Sequence, residues 1–376
     1  MGDYTELIGR AEIHDLDAIL ALAQVSPDEV EHSVASHGNA VFTWNYERTR
    51  PALVKLYEKA KRSQWNANDL AWDTEVDQEK VVLANGELRA DANSLLSPNY
   101  DTTGTPFAAF GEKEWLRFGC ESQNWMLSQF LHGEQGALMC TAQIVETVPW
   151  YDAKMYAATQ VMDEARHVEV FGRYLNEKLS GHYPINAHLK MLLDDIISDS
   201  RWDMTYLGMQ IMVEGLALAA FGFISQTTTE PLLKQLLKYV MSDEARHVAF
   251  GVLSLQEFYQ QLSAAEIRER QEFAFEAAVR MRDRFLQQEV FERMGLNVRE
   301  AVQAILEIED RKLFQSLLFT KIVPNCRKLG LLDAGDGWLR ERFTELGVIG
   351  FEFADATDDE VEDGAFERPV ERALDA

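Results

Sequence analysis

Asp163-Glu164-Ala165-Arg166-His167-Val168 returns unchanged 80 positions later as Asp243-Glu244-Ala245-Arg246-His247-Val248. The same offset relates Glu134 to Glu214, and Ala137-Leu138 to Ala217-Leu218. The chain therefore reads as two helix pairs built on one plan. A period this long, occurring only twice, is not that of a solenoid.

Each copy of the motif follows a glutamate that its own surroundings do not explain. Between Leu207 and Ser225 the only charged residue is Glu214, set in GMQIMVEGLALAAFGF. A helix apolar on every face is a buried helix. An isolated carboxylate there costs several kcal/mol, or stays protonated, unless something compensates its charge. From Ser122 to Val145 the only Asp, Glu, Lys or Arg is Glu134.

The repeated motifs supply the compensation. Residues three apart on a helix lie on one face, a short turn apart. Glu164 with His167, and Glu244 with His247, can each direct an oxygen and a nitrogen to one point. One glutamate from each of two helices and a Glu-x-x-His from each of two others form the ligand set of a two-metal site in a helical bundle. Four carboxylates neutralise two divalent ions in a dry interior, and mixed oxygen and imidazole ligation suits iron or manganese. Iron is the first expectation, with manganese or a mixed pair as alternatives. Ligating histidines usually donate their other ring N–H to a carboxylate. Asp163 and Asp243 are the candidates, each expected to orient the histidine of the opposite motif, with Arg166 and Arg246 holding the aspartates.

Working outward, the rest of the chain is also helical. Pro51–Arg62 reads as a helix and Ala84–Gly111 as a long connection. Long helices are expected from Glu112 to about Val148, from about Trp150 to Leu179, from about Ala187 to Ser225 and from Pro231 to about Leu262. A capping box, Ser263 with Glu266, opens a fifth that ends at Gly295, and Asn297 with Glu300 opens a sixth reaching about Val323. The expected organisation is an N-terminal extension over 1–111, the metal-binding bundle over 112–262, further helices over 263–350 and an acidic, disordered tail over 351–376. The fold class is all-α.

Composition narrows the function classes. The chain has 376 residues and a net charge of −26, which argues against a nucleic-acid partner and against anionic membranes. Three scattered cysteines, Cys120, Cys140 and Cys326, make neither a disulfide framework nor a zinc ribbon and suit a reducing cytoplasm. The N-terminus lacks a secretory core, and no run of about 18 uncharged apolar residues is present to span a membrane.

The order Glu134, Glu164-x-x-His167, Glu214, Glu244-x-x-His247 resembles the ferritin-like, carboxylate-bridged dimetal oxidases and oxygenases over roughly residues 112–262. The resemblance implies a ferritin-like four-helix bundle with the dimetal site in its core. Leu56–Asp77, LYEKAKRSQWNANDLAWDTEVD, also resembles the segment before the bundle in ribonucleotide reductase small subunits and their ligand-binding oxidase relatives. There a tryptophan bonds the aspartate of the second motif, which places Trp65 beside Asp243 as a candidate electron relay.

Departures from the relatives separate the subfamilies. Phe171 stands where radical-forming small subunits carry tyrosine. Ala137 and Met209 stand where the ligand-binding oxidases form a Val–Tyr crosslink. Leu218 stands where multicomponent hydroxylases have threonine, and Val240 where aminobenzoate N-oxygenases add a third histidine.

The resemblance implies an O2-activating oxygenase or oxidase acting on a small, largely apolar organic molecule. No flavin or nucleotide fingerprint is present in the sequence, so electrons are expected from a separate reductase or ferredoxin. A homodimer is the expected assembly. Ala137, Phe171, Gln210, Ala217 and Leu218 are candidate pocket residues; the small residues around Glu134 and Glu214 serve either a dry cavity or close helix packing. Alternatives are a non-catalytic iron-binding, ferroxidase or storage protein, and a non-tyrosyl ribonucleotide reductase small subunit.

Overall fold

The computed structural model describes residues 4–88, 101–307, 317–357 and 361. Among the described residues it contains helices, turns and loops and no β-strand. Three short helices come first: α1 (Leu16–Leu20), α2 (Pro51–Arg62) and α3 (Gln78–Leu88). Proline in the first turn of α2 and Lys59, Lys61 and Arg62 in its last turn suit the two ends of the helix dipole. The expected connection over 84–111 is shorter than its composition suggested, because α3 runs on to Leu88 and a 3-10 turn covers Pro106–Ala109.

The bundle begins with α4 (Glu112–Thr147), 36 residues long. Glu114 accepts a hydrogen bond from the Gly111 amide at its start, and Pro149 lies just beyond its end. A turn of three residues leads into α5 (Tyr151–Lys178), which packs back along α4. α9 (Pro231–Tyr259) carries the second motif. Glu230 caps it by accepting from the Leu232 and Leu233 amides, and Tyr174 of α5 donates to the same carboxylate at 2.8 Å.

The expected single helix over 187–225 is instead a broken path. α6 (Ala187–Ser198) ends where Asp199 turns extended and its side chain accepts from the Arg201 amide at 2.8 Å, a local turn that competes with helix. α7 (Trp202–Tyr206) then widens into a π-helical segment, Leu207–Val213, before α8 (Glu214–Thr227) resumes. Trp202–Thr227 is long and apolar enough to cross a membrane by length and composition, but 72% of its most apolar 18 residues are buried inside the bundle, as in a core helix.

The fifth expected helix also divides, into α10 (Ala264–Asp283) and α11 (Gln288–Arg293). A 3-10 turn over Arg284–Leu286 and a left-handed Gln287 at φ 55° separate them. α12 (Val298–Leu306) opens on Asn297 as expected. Its expected run to Val323 is not continuous: residues 308–316 lie outside the described part, 317–321 are mostly turn, and a separate helix, α13 (Ile322–Lys328), follows. The last helix is α14 (Trp338–Glu345). The start of the acidic tail is docked, not loose: the Thr357 amide donates to Asn325 at 3.0 Å, and Ala356 and Val361 are buried. Most of the rest of that tail lies outside the described residues.

Candidate metal centre

Glu134 on α4, Glu164 and His167 on α5, Glu214 at the start of α8, and Glu244 and His247 on α9 all point into one buried volume. Their donor atoms fall into two groups that share Glu164. Glu134, Glu164, His167 and Glu244 bring one ligand atom each within 4.8 Å of one another, and so do Glu164, Glu214 and His247.

The contacts follow the internal repeat. His167 Nδ1 lies 3.0 Å from Glu244 Oε1 and 3.2 Å from Glu134 Oε2. His247 Nδ1 lies 3.0 Å from Glu164 Oε1 and 3.9 Å from Glu214 Oε2. Despite the short separations, His247 Nδ1, Glu244 Oε1, Glu164 Oε2 and Glu214 Oε2 make no hydrogen bond. Atoms this close and this buried that do not bond one another are aimed at a common point between them. Buried polar atoms without partners are costly, and two divalent cations between these residues would satisfy them. The donor set fits such ions.

The electrostatics show the same need. Burial and the neighbouring Glu244 carboxylate push Glu134 up to about 8. Burial, with Glu164 and Glu244 close by, pushes Glu214 well above the carboxylate range. Glu164 is the opposite case: burial opposes its charge, but the His247 and His167 imidazoles hold it well below that range. Burial also opposes charge on both histidines; hydrogen bonding to Asp243 raises His167, and the Glu164 charge raises His247. Without cations the cluster borrows protons to offset its own negative charge.

Behind the ligand atoms lies a hydrogen-bonded frame. His167 Nε2 is 3.3 Å from Asp243 Oδ2, and His247 Nε2 is 3.4 Å from Asp163 Oδ2, so each ring faces the aspartate of the opposite motif. Arg166 bonds Asp163 and reaches Asp243 at 3.2 Å, while Arg246 bonds Asp243. Trp65 donates from Nε1 to Asp243 at 2.6 Å. Its ring lies 6.5 Å from the His167 ring and 5.2 Å from that of Tyr239, with the Arg166 guanidinium 4.9 Å above it. Gln64 completes the frame by donating to Asp163 at 3.1 Å and accepting from Arg166 at 2.6 Å.

The candidate pocket residues are placed unevenly. Phe171 packs in an aromatic group with Phe130 and Phe221, whose ring centroids lie 4.7 Å apart. Ala137 and Leu218 are buried, whereas Ala217 is only half-buried. Gln210, in the π segment, is fully buried with neither amide atom bonded. Gly136 serves close packing, since a Cβ there would come within 2.6 Å of Leu193.

Two residues of this site, Gln160 and Gln64, were not singled out by the sequence. Gln160, fully buried one turn before Glu164, donates from Nε2 to Glu164 Oε1 at 3.0 Å and to Glu214 Oε1 at 2.9 Å. Aligning the repeats carries the signal, because the 80-residue offset sets Gln160 opposite Val240. Gln64 was missed too, and as a polar residue beside Trp65 it carries no comparable signal.

The chain is similar to one described family and to several solved structures. Residues 138–330 match the family model described as p-aminobenzoate N-oxygenase AurF, a span that includes every cluster residue except Glu134. No curated protein matches the sequence. Among solved structures, an R2-like ligand-binding oxidase with an aerobically reconstituted metal cofactor after photoconversion is 17% identical. The match covers 75% of this chain and 94% of that one, with a TM-score of 0.48. A variant of that oxidase with an anaerobically reconstituted Mn/Fe cofactor is 18% identical at the same coverage, with a TM-score of 0.46.

Proposed function

We propose, on the premise that the chain belongs to the p-aminobenzoate N-oxygenase AurF family, that Glu134, Glu164, His167, Glu214, Glu244 and His247 hold its two metal ions. The chain is an oxidoreductase of the oxygenase or oxidase type that uses O2 and a dimetal cofactor. Iron is the metal pair we assign first. When bound, the pair supplies the redox chemistry by which O2 is activated toward an organic bond.

The protein's own residues do the rest. Glu164, common to both donor groups, would serve both ions, Glu134 and Glu214 would each serve one, and Asp163 and Asp243 fix the ring orientation of the two histidines. The fully buried aromatic group of Phe130, Phe171 and Phe221 excludes water from one side of the interior. It favours a small, largely apolar substrate there. Gln210, buried with an unbonded amide four residues before Glu214, offers a polar contact on the other side of the interior. Electrons come from a separate reductase or ferredoxin. Trp65, half-buried and bonded to Asp243, offers them a route from the surface to His167. A homodimer is the assembly we assign.

We do not assign p-aminobenzoate as the substrate. Val240, fully buried one turn before Glu244, stands where the aminobenzoate N-oxygenases add a third histidine. The observation that carries the reading is the convergence of four buried glutamates and two imidazoles, of which Glu164 Oε2, Glu214 Oε2, Glu244 Oε1 and His247 Nδ1 stay unbonded. The test supplies the iron-loaded chain with reductant, 18O2 and a panel of arylamines and alkyl aromatics. Isotopic oxygen in a product is expected; no product and no substrate-dependent O2 uptake, with two irons bound, would overturn the assignment.

A further inference from the structure

The two halves of the centre are matched in their ligand atoms and unmatched in one neighbour. Gln160 directs both N–H donors of its Nε2 to the cluster, at 3.0 Å to Glu164 Oε1 and 2.9 Å to Glu214 Oε1. This leaves Glu214 with one unbonded oxygen, Oε2. In the other half, Val240 takes the corresponding place and has no donor to offer Glu134. The distances follow this difference. Glu214 Oε2 stands 3.9 Å from its histidine, whereas Glu134 Oε2 stands 3.2 Å from its own.

We infer that Gln160 is a positioning residue that ties down one oxygen of Glu214 and so makes the two metal positions unlike. The position between Glu164, Glu214 and His247 then receives a carboxylate of fixed orientation, with one oxygen available. The position among Glu134, Glu164, His167 and Glu244 receives a carboxylate whose hydrogen-bond partner is His167, itself one of the ligand candidates, so that no side chain outside the cluster fixes its orientation. Fewer protein oxygens at the first position leave more room there for an exogenous ligand. Gln210, whose amide is buried and unbonded, stands four residues before Glu214 in the π-helical segment that leads to it. A purely structural glutamine would need neither carboxylate; two short contacts from one nitrogen, across two helices and onto two glutamates of the cluster, are the geometry of a clamp.

The inference rests on the dimetal reading of the site, and its readouts are spectroscopic and thermodynamic. In the unaltered chain loaded with 57Fe(II), Mössbauer spectra should resolve two quadrupole doublets of equal area. A single doublet at full loading would overturn the inference and leave the dimetal assignment standing, whereas a chain that binds no iron would sink that assignment. In Gln160→Met, which keeps the length and removes the donor, Mn(II) titration followed by electron paramagnetic resonance should show one ion weakened about 10–100-fold and the other nearly unchanged. Equal weakening of both ions, or of neither, would contradict the positioning role. Val240→Gln is the converse arm: a donor set against Glu134 should draw the two doublets together, and two doublets as far apart as before would count against the clamp.

Discussion

The helix pair Glu112–Lys178 and the path Trp202–Tyr259 carry the same ligands at the same spacing, yet they are built differently. The first reaches Glu134 along an unbroken 36-residue helix. The second reaches Glu214 through a π-helical turn, Leu207–Val213. Where the first half has Phe130 and Phe171 in contact, the repeat offset gives the second half Gln210 and Gly251. A Cβ on Gly251 would come within 2.6 Å of the Gln210 Cβ, so the glycine lets the widened turn press against α9. The lesson is that the duplicated residues are those that neutralise the cations. The residues around them are free to differ, and they make one side aromatic and the other amide-lined.

The comparison breaks most completely at the carboxylate common to both halves. Glu164→Ala should empty both metal positions, while Glu214→Ala should spare the ion among Glu134, His167 and Glu244; metal per chain by plasma mass spectrometry reads the difference. If both variants lost the same single ion, Glu164 would not be shared. Next in size is packing. Phe171→Ala leaves a cavity in the aromatic side and should cost about 3–5 kcal/mol. Its counterpart change, Gly251→Ala, forces the π segment to move and should cost about 1–3 kcal/mol. Chemical denaturation of the metal-free proteins gives both values, and a harmless Gly251→Ala would remove the close-approach argument.

The frame can be divided in the same way. Asp243→Asn should lower metal affinity about 10–100-fold, acting first on the ion held by His167, and Asp163→Asn should act first on that held by His247. Competition titrations with a chelator would show whether the order reverses between the two.

The smallest effect concerns pH. In the metal-free chain Glu134 is raised from 4.5 to about 8, chiefly by burial. An acid whose pKa is higher folded than unfolded binds its proton more tightly when folded, so stability falls as pH rises from about 4.5 toward 8. The raised histidines act with the same sign above about 6.5, since their protonated forms are favoured in the fold. Glu164 and Asp243, both lowered, act at the acid end, where their contribution is lost as pH falls. The metal-free melting temperature should therefore drop between about pH 5 and pH 8, while that of the loaded chain stays level. Parallel curves would mean that the cluster protons are not exchanged for metal.

How much of this was legible in the amino-acid sequence depends on what each residue had to overcome. Glu134 and Glu214 were conspicuous because a carboxylate alone in an apolar helix requires a partner, and the repeated motifs named it. The helix starts at Pro51 and Pro231 were readable from proline, and that at Glu112 from the change of pattern there. The break at Asp199, set by a local turn of its side chain onto the Arg201 amide, the left-handed Gln287 and the π turn were not, because each interrupts a segment whose own pattern continues as helix. Gln160 was overlooked for a related reason. A glutamine in a helix is ordinary until the structure shows what its amide touches.

The central claim, that six buried side chains converge because two cations lie between them, is tested most directly by anomalous scattering from crystals of the chain grown with iron and manganese. The account predicts two peaks, one among Glu134, Glu164, His167 and Glu244 and one among Glu164, Glu214 and His247. An ordered cluster with the same side-chain positions and no anomalous peak would contradict it.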